Sequence, residues 1–251
     1  MDLSNYADEY TELLANLSKT KFFGNYAITH YLSKLELRVT GIRDFYIKNS
    51  LTYSRTFKIG DYVDVLKEEH PKICGGVTEY ITKIKLARKL GKSLEELKFF
   101  DDLNKDKYAK LSDEELAFAM YEHDIIYRSG FGYTDEILAH KNQIISKATY
   151  LAEIALALIS KNFPTINDID FHPEGHVMYS GKLAIKGDSD LLINNCLIDF
   201  KTKKDHKLSS TERAQLFAYA LHKYMRDGVG YDKVYFLNPR FKILEELVFK
   251  S

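Results

Sequence analysis

Apolar residues recur every three to four positions through much of the first 130 residues, a spacing that predicts amphipathic helices. The clearest examples are residues 8–17 and residues 77–90. Ser93 and Ser112 are each followed by acidic residues and are predicted helix starts, because a serine hydroxyl can accept the unpaired N–H groups of a first turn. After the glycines around Phe131, residues 134–160 predict one long helix.

The hydrophobic pattern changes after Pro164, where short runs of alternating or β-branched residues predict strands. Asn194 and Asn195 separate two of these runs and tolerate the positive φ angles of a two-residue hairpin turn. Helical spacing returns once, over residues 211–225. The predicted strands are residues 169–171, 176–179, 183–193, 196–202, 233–237 and 243–249. The order of elements predicts an α/β or α+β core that follows a mostly helical N-terminal region.

Composition narrows the class of protein. The 251 residues contain 36 Lys and Arg against 36 Asp and Glu, so the formal net charge is zero, and 45% of the residues are hydrophobic. This composition excludes disorder over most of the chain. Two cysteines, Cys74 and Cys196, exclude a disulfide framework and any four-cysteine metal site within this chain. Without a long apolar run or an apolar leader, we expect no membrane span and a cytoplasmic setting, which is the host cytoplasm if the gene is viral.

Candidate chemistry is concentrated in the predicted hairpin. Asp190 lies inside the strand-like run of residues 183–193, and Asp199 and Lys201 lie on the returning strand, two residues apart. Because strand side chains alternate, Asp199 and Lys201 point to the same face while Phe200 points to the other. Acids that converge repel each other unless positive charge lies between them, and a hard divalent cation such as Mg²⁺ suits carboxylate oxygens.

The elements on either side of the hairpin add polar residues. Gln215 and Tyr219 are four residues apart and share one face of the predicted helix that follows. Glu153 lies upstream among apolar neighbours of the predicted long helix, where a buried carboxylate needs a partner. The connection between the hairpin and the helix is basic, and its cations are Lys203, Lys204, Lys207 and Arg213.

A helix Glu, then G-x-x-D, then D-x-K, then Q-x-x-x-Y form the motif series of the RecB-type branch of the PD-(D/E)xK nuclease superfamily, which includes phage-type exonucleases. This chain resembles that branch over roughly residues 134–240. The matching residues are Glu153, Gly187 with Asp190, Asp199 with Lys201, and Gln215 with Tyr219.

The resemblance implies a restriction-endonuclease-like core, with a central mixed β-sheet flanked by helices, in residues 131–251. Residues 1–130 form a mostly helical region with no assigned role. The resemblance also implies a Mg²⁺- or Mn²⁺-dependent hydrolase that cleaves phosphodiester bonds of DNA, with exonuclease-like processing as the first expectation. Its partners would be DNA, or RNA, together with further copies of this chain or a helicase or recombination protein.

The same resemblance assigns roles to individual residues. Glu153, Asp190, Asp199 and the backbone carbonyl of Phe200 would hold the metal. Asp190, Asp199, Lys201, Gln215 and Tyr219 would form the catalytic group, in which Lys201 orients the attacking water. The lysines after Lys201 and Arg213 would contact the phosphate backbone, which makes binding salt-sensitive and independent of sequence.

Three points stay open in the sequence. Asp188 lies two residues before Asp190 on the same face, so either could be the ligand. Some relatives have a histidine at the position that corresponds to Glu153. The candidate histidine here is His140, but it lies about 220° around the helix from Glu153. A structure- or sequence-specific endonuclease acting on DNA or RNA, or a non-catalytic nucleic-acid-binding module, could carry the same residues.

Overall fold

The computed structural model describes residues 3–19, 24–27, 41–63, 70–97, 110–173, 176–180 and 183–249. Within these ranges the chain forms seven α-helices, one short 3₁₀ helix over Leu94–Glu96, and nine strands. The helices are α1 (Ser4–Ser18), α2 (Ile42–Lys48), α3 (Pro71–Leu90), α4 (Asp113–Ser129), α5 (Asp135–Ala139), α6 (Lys141–Asn162) and α7 (Ser210–Asp227). The strands are β1 (Gly24–Ala27), β2 (Thr52–Lys58), β3 (Ile169–Asp170), β4 (His176–Ser180), β5 (Leu183–Gly187), β6 (Leu191–Ile193), β7 (Cys196–Phe200), β8 (Lys233–Asn238) and β9 (Ile243–Val248).

The strands form two sheets. The larger has the order β2-β9-β8-β7-β6-β3, in which β7 and β8 are parallel and all other neighbours are antiparallel. The smaller has the order β1-β5-β4. The predicted mixed α/β class is therefore confirmed.

Each face of the six-stranded sheet is covered by helices. Ile198 and Phe200 of β7 pack in a core with α3, α4 and α6, whereas Leu197 of the same strand packs in a core with α1, α2 and α7. This division follows from the alternation of side chains along a strand. Asp199 shares the face of Leu197 and so points toward α7.

Residues on both sides of the predicted boundary near residue 130 belong to one packed unit. Strand β2 pairs with β9, and β1 pairs with β5. Helix α3 lies in the same core as α6 and β7. The polar edge strand β2 had no strong sequence signal, because most of its residues are exposed and its apolar positions are few.

Two predicted elements are divided in the structure. The predicted helix over residues 134–160 is interrupted at His140, which separates α5 from α6. The predicted strand over residues 183–193 is divided between β5, in the small sheet, and β6, in the large one. Three polar residues, from Asp188 to Asp190, form the crossing between the two sheets.

Several local predictions are confirmed. Asn194 and Asn195 have φ angles of 48° and 59°, as the hairpin turn requires. Ser112 and Glu115 form a reciprocal capping box at the start of α4. By length and composition α6 is the one helix among the described residues that could cross a membrane, yet it packs along α3 with eight buried residues, as a core helix does.

Candidate metal and catalytic site

Asp199 and Lys201 lie at the carboxyl end of β7. The Asp199 side chain is 2% exposed, and its Oδ1 accepts a hydrogen bond of 2.8 Å from the Lys201 ammonium. Its other oxygen, Oδ2, is buried without a hydrogen-bond partner in the structure. The Lys201 backbone N–H donates to the Leu237 carbonyl of β8 at 3.0 Å, which continues the parallel pairing past the strand end. The sheet therefore fixes the direction of both side chains.

Asp190 approaches Asp199 from the crossing between the two sheets. Its Oδ2 accepts a hydrogen bond of 2.8 Å from the backbone N–H of Phe200, the residue between Asp199 and Lys201. Asp188, in contrast, is exposed. The structure thus brings Asp190 next to Asp199 and Lys201 and leaves Asp188 on the surface.

A further acid, Glu79 on α3, interacts electrostatically with the two aspartates, and the sequence prediction did not include it. Burial and then the charge of Asp190 raise the pKa of Glu79, while burial is the main cause of the raised pKa of Asp199, to which the charges of Asp190 and Glu79 contribute. Glu79 forms an ion pair of 2.6 Å with Lys83, one helical turn along, and Lys83 is 6% exposed. A buried lysine and a mostly buried glutamate therefore stand beside the two aspartates.

Glycines allow α3 to approach the site closely. A Cβ added at Gly75 would lie 3.2 Å from the Thr202 Cβ, and one added at Gly76 would lie 2.1 Å from the Tyr121 ring. Glu79 follows these positions by one turn on the same helical face. Two adjacent glycines before a Glu and a Lys at i,i+4 were the available sequence signal for this acid.

The prediction for Glu153 is corrected. Its side chain is exposed on α6 and not buried among apolar neighbours, so it needs no buried partner. The apolar residues on both sides of it face the core, which leaves position 153 on the solvent side of the helix. Glu79, in contrast, is mostly buried and interacts with the charges of Asp190 and Asp199.

The surroundings of Asp199 and Lys201 affect the protonation of these two residues differently. Burial, followed by the charges of Asp190 and Glu79, raises the pKa of Asp199 to about 7, against the opposing effect of Lys201. The surrounding carboxylates raise the pKa of Lys201 above its ordinary value despite its burial. Lys201 therefore stays protonated at neutral pH and can donate but cannot accept a proton.

Gln215 and Tyr219 lie on the buried face of α7, which begins at the cap residue Ser209. The Gln215 side-chain amide donates to the Tyr219 hydroxyl, and burial raises the pKa of Tyr219 against the opposing charge of Lys201. The structure thus places both predicted residues beside the acids.

The packing of Tyr219 explains why position 187, the first of the G-x-x-D motif, is a glycine. A Cβ at this position would lie 2.3 Å from Cε1 of Tyr219, which is closer than any side chain could tolerate. The Tyr219 ring therefore fills the space next to the β5 backbone. The glycine and the tyrosine, 32 positions apart, form one contact beside Asp190.

The predicted phosphate-binding residues differ in their surroundings. Lys203 pairs with Glu212 at 2.6 Å, so much of its charge is compensated within the protein. Lys204 and Lys207 are exposed, and Arg213 is half-buried with its guanidinium 6.0 Å from the Tyr53 ring centre. The exposed positive charge of this loop therefore comes from Lys204 and Lys207.

The donor set suits a hard divalent cation. Among the described residues, no three His, Cys, Asp or Glu side chains lie close enough together to hold a metal ion as they stand. Lys201 pairs with Oδ1 of Asp199, but the buried Oδ2 has no hydrogen-bond partner among the described residues, and the nearby charges of Asp190 and Glu79 favour a cation beside it. Carboxylate oxygens, together with the Phe200 carbonyl at the end of β7, are the ligands that Mg²⁺ and Mn²⁺ prefer.

In comparisons with family models, with curated proteins and with solved structures, nothing matches this chain. The functional argument therefore rests on the residues and on their arrangement.

Proposed function

We propose that this protein is a Mg²⁺- or Mn²⁺-dependent nuclease that hydrolyses phosphodiester bonds of DNA. The observation that carries the proposal is the Oδ2 atom of Asp199, which is buried and unpartnered beside two other acids and a protonated lysine. Such a group is unfavourable for folding, so a role in holding a cation accounts for it better than a role in stability.

In the proposed site, Asp199, Asp190 and Glu79 would hold the metal together with the Phe200 carbonyl. A bound metal would lower the pKa of a coordinated water and neutralise charge on the scissile phosphate. While no cation is bound, the Lys83 ammonium offsets the charge of Glu79.

The remaining residues act on the phosphate and the water through their own polar atoms. Lys201 donates to the attacking water and to the non-bridging phosphate oxygens, where negative charge develops in the transition state. Gln215 and Tyr219 form a hydrogen-bonded pair that positions this water or the adjacent phosphate. Lys204 and Lys207 attract the DNA backbone without reading its sequence.

The restriction-endonuclease-like core belongs to the same proposal. Its support is the antiparallel pair of β6 and β7, the acids at the end of β7, and the crossover through α7 to the parallel strand β8. The proposed setting is a reducing cytoplasm, consistent with two buried free cysteines.

The direct test incubates the purified protein with linear and with closed circular DNA in Mg²⁺, in Mn²⁺ and in EDTA. We expect metal-dependent loss of linear DNA and no cutting of the circle, which would indicate an exonuclease. Nicking of the circle would assign an endonuclease instead. Cleavage of RNA alone would change the substrate class, and no cleavage of DNA or RNA in either metal would contradict the proposed function.

Substitution of Asp199 by Asn tests the effect of the buried Asp199 charge on stability without any cleavage assay. The folded protein holds the Asp199 proton up to a pH of about 7, whereas the unfolded chain loses it near 3.8. The contribution of this group to stability therefore falls as the pH rises between these two values. In EDTA we expect Asp199→Asn to melt at a higher temperature than the wild type at pH 8, with a smaller difference at pH 5.

The same variant should lose the response to metal. Mn²⁺ at a concentration of about 100 times its Kd stabilises a single-site protein by about 2.7 kcal/mol, which corresponds to an increase of about 5–10 °C in the melting temperature here. We expect this increase for the wild type and for Glu153→Gln but not for Asp199→Asn. An equal increase for all three proteins would remove Asp199 from the metal site.

A further inference from the structure

An aromatic ladder lies beside the proposed nuclease site, at the turn between β8 and β9. It consists of Tyr62, Phe241 and His206. The rings of Tyr62 and Phe241 are 4.5 Å apart, and those of Phe241 and His206 are 5.7 Å apart. Tyr62 remains 42% exposed despite the contact with Phe241, and His206 is exposed as well.

The aromatic ladder is held in place and not left on a loose loop. The Tyr62 hydroxyl accepts a hydrogen bond of 2.7 Å from the guanidinium of Arg240, which is 1% exposed. The backbone of Val63 donates to the Arg240 carbonyl at 2.8 Å, and that of Ile59 donates to the Lys242 carbonyl at 3.1 Å. Ordered aromatic rings of this kind bind a partner with little loss of conformational entropy.

Strand pairing places the aromatic ladder next to the proposed site. The N–H of Lys201 is bonded to the carbonyl of Leu237, four residues before Phe241. The Asn238 side chain donates to the carbonyls of Lys203 and Asp205 at 3.2 and 3.3 Å, which ties the basic loop to the end of β8. A strand that leaves the acids at the end of β7 would therefore meet this surface.

The charge around the aromatic ladder is positive. Residues 58–63, 203–207 and 238–242 contain six Lys and Arg against two Asp, and two of these cations, Lys58 and Lys203, are paired with Asp61 and Glu212. Lys204 and Lys207 are exposed on one side of the rings, and the Lys242 side chain lies over Gly60 on the other. Phosphates would be attracted to these cations, while ring faces offer stacking to bases that are not paired.

We propose that the aromatic ladder binds an unpaired segment of the nucleic acid strand by stacking of its bases on Tyr62 and His206, with Lys204, Lys207 and Lys242 on the phosphates. This inference rests on the proposed nuclease function, because it names the strand conformation that the same site receives. A duplex keeps its base faces covered and would gain nothing from the rings.

Fluorescence anisotropy with a labelled oligothymidine in EDTA tests the proposal without cleavage. We expect Tyr62→Ala to weaken binding by about 10-fold, whereas Tyr62→Phe stays within about 2-fold because the ring is retained. Tyr127→Ala is the matched control, since Tyr127 is 72% exposed on α4 and lies outside the aromatic ladder. A duplex of the same length should bind all four proteins alike.

Two further measurements separate stacking from charge. An abasic strand should bind the wild type more weakly than oligothymidine does, and Tyr62→Ala should cause no additional loss on it. Tyr62→Ala should leave the slope of log K against log salt unchanged, whereas Lys204→Ala combined with Lys207→Ala should reduce that slope by about 1 to 2. If circular dichroism shows Tyr62→Ala to be misfolded, His206→Ala replaces it.

The proposal would be overturned if the wild type and Tyr62→Ala bound oligothymidine with equal affinity. It would also be overturned if Tyr62→Ala lost as much affinity for the abasic strand as for oligothymidine. So would a loss for Tyr62→Phe as large as that for Tyr62→Ala, because the hydroxyl bond to Arg240 would then account for the effect. If Tyr62→Ala weakens binding but the protein cleaves no nucleic acid, the binding role of the aromatic ladder is supported and the nuclease function is rejected. If the protein cleaves DNA and Tyr62→Ala has no effect on binding, the nuclease function is supported and the binding role is rejected.

Discussion

Lys201→Ala is expected to lower the rate of metal-dependent DNA cleavage by about 100- to 1,000-fold, the loss seen when one preorganised donor to a developing negative charge is removed. The ammonium group of Lys201 lies 2.8 Å from Asp199, and the nearby carboxylates raise its pKa, so it is charged at neutral pH. Its proposed role is therefore electrostatic and does not include accepting a proton.

The control for Lys201→Ala is Lys89→Ala, because Lys89 is exposed on α3 and donates only to Ser160 among the contacts described. We expect Lys89→Ala to cleave at the wild-type rate. Metal-induced stabilisation should persist in Lys201→Ala, since the three acids remain. Cleavage by Lys201→Ala at the wild-type rate would show that the site at the end of β7 does not perform the reaction.

Glu79→Gln is expected to lower cleavage by at least about 10-fold, because it removes a proposed metal ligand, and the loss of even an outer partner of a ligand has an effect of that size. Glutamine keeps a hydrogen-bond acceptor for Lys83 and a similar volume, so the variant removes charge with little change in packing. Glu79→Ala is less informative, because it would leave the buried Lys83 without its partner and destabilise the protein.

Glu153→Gln is the matched comparison, because it makes the same chemical change on the exposed side of α6. We expect it to retain wild-type cleavage and wild-type stabilisation by Mn²⁺. The opposite result, with activity lost in Glu153→Gln and kept in Glu79→Gln, would restore the assignment made from the motif series and remove α3 from the site.

The sequence alone determined those features that depend on neighbours in the chain. Alternation around Phe200 put Asp199 and Lys201 on one face, and the spacing of Gln215 and Tyr219 put them on one side of a helix. The turn at Asn194 and Asn195 and the capping box at Ser112 follow from local backbone chemistry in the same way. Each of these patterns is short, so periodicity is enough to predict it.

Only the tertiary structure decided which distant groups meet. The position of Glu79 beside Asp190 and Asp199 depends on how α3 packs, including its close approach to Thr202 at Gly75, and both Glu79 and Glu153 have apolar neighbours in sequence. The contact of Gly187 with Tyr219 and the approach of Tyr62 to Phe241 likewise join segments that are far apart in the chain. A helical pattern shows that a face is buried but not what lies opposite it, because packing of whole elements, and not local spacing, determines the partner.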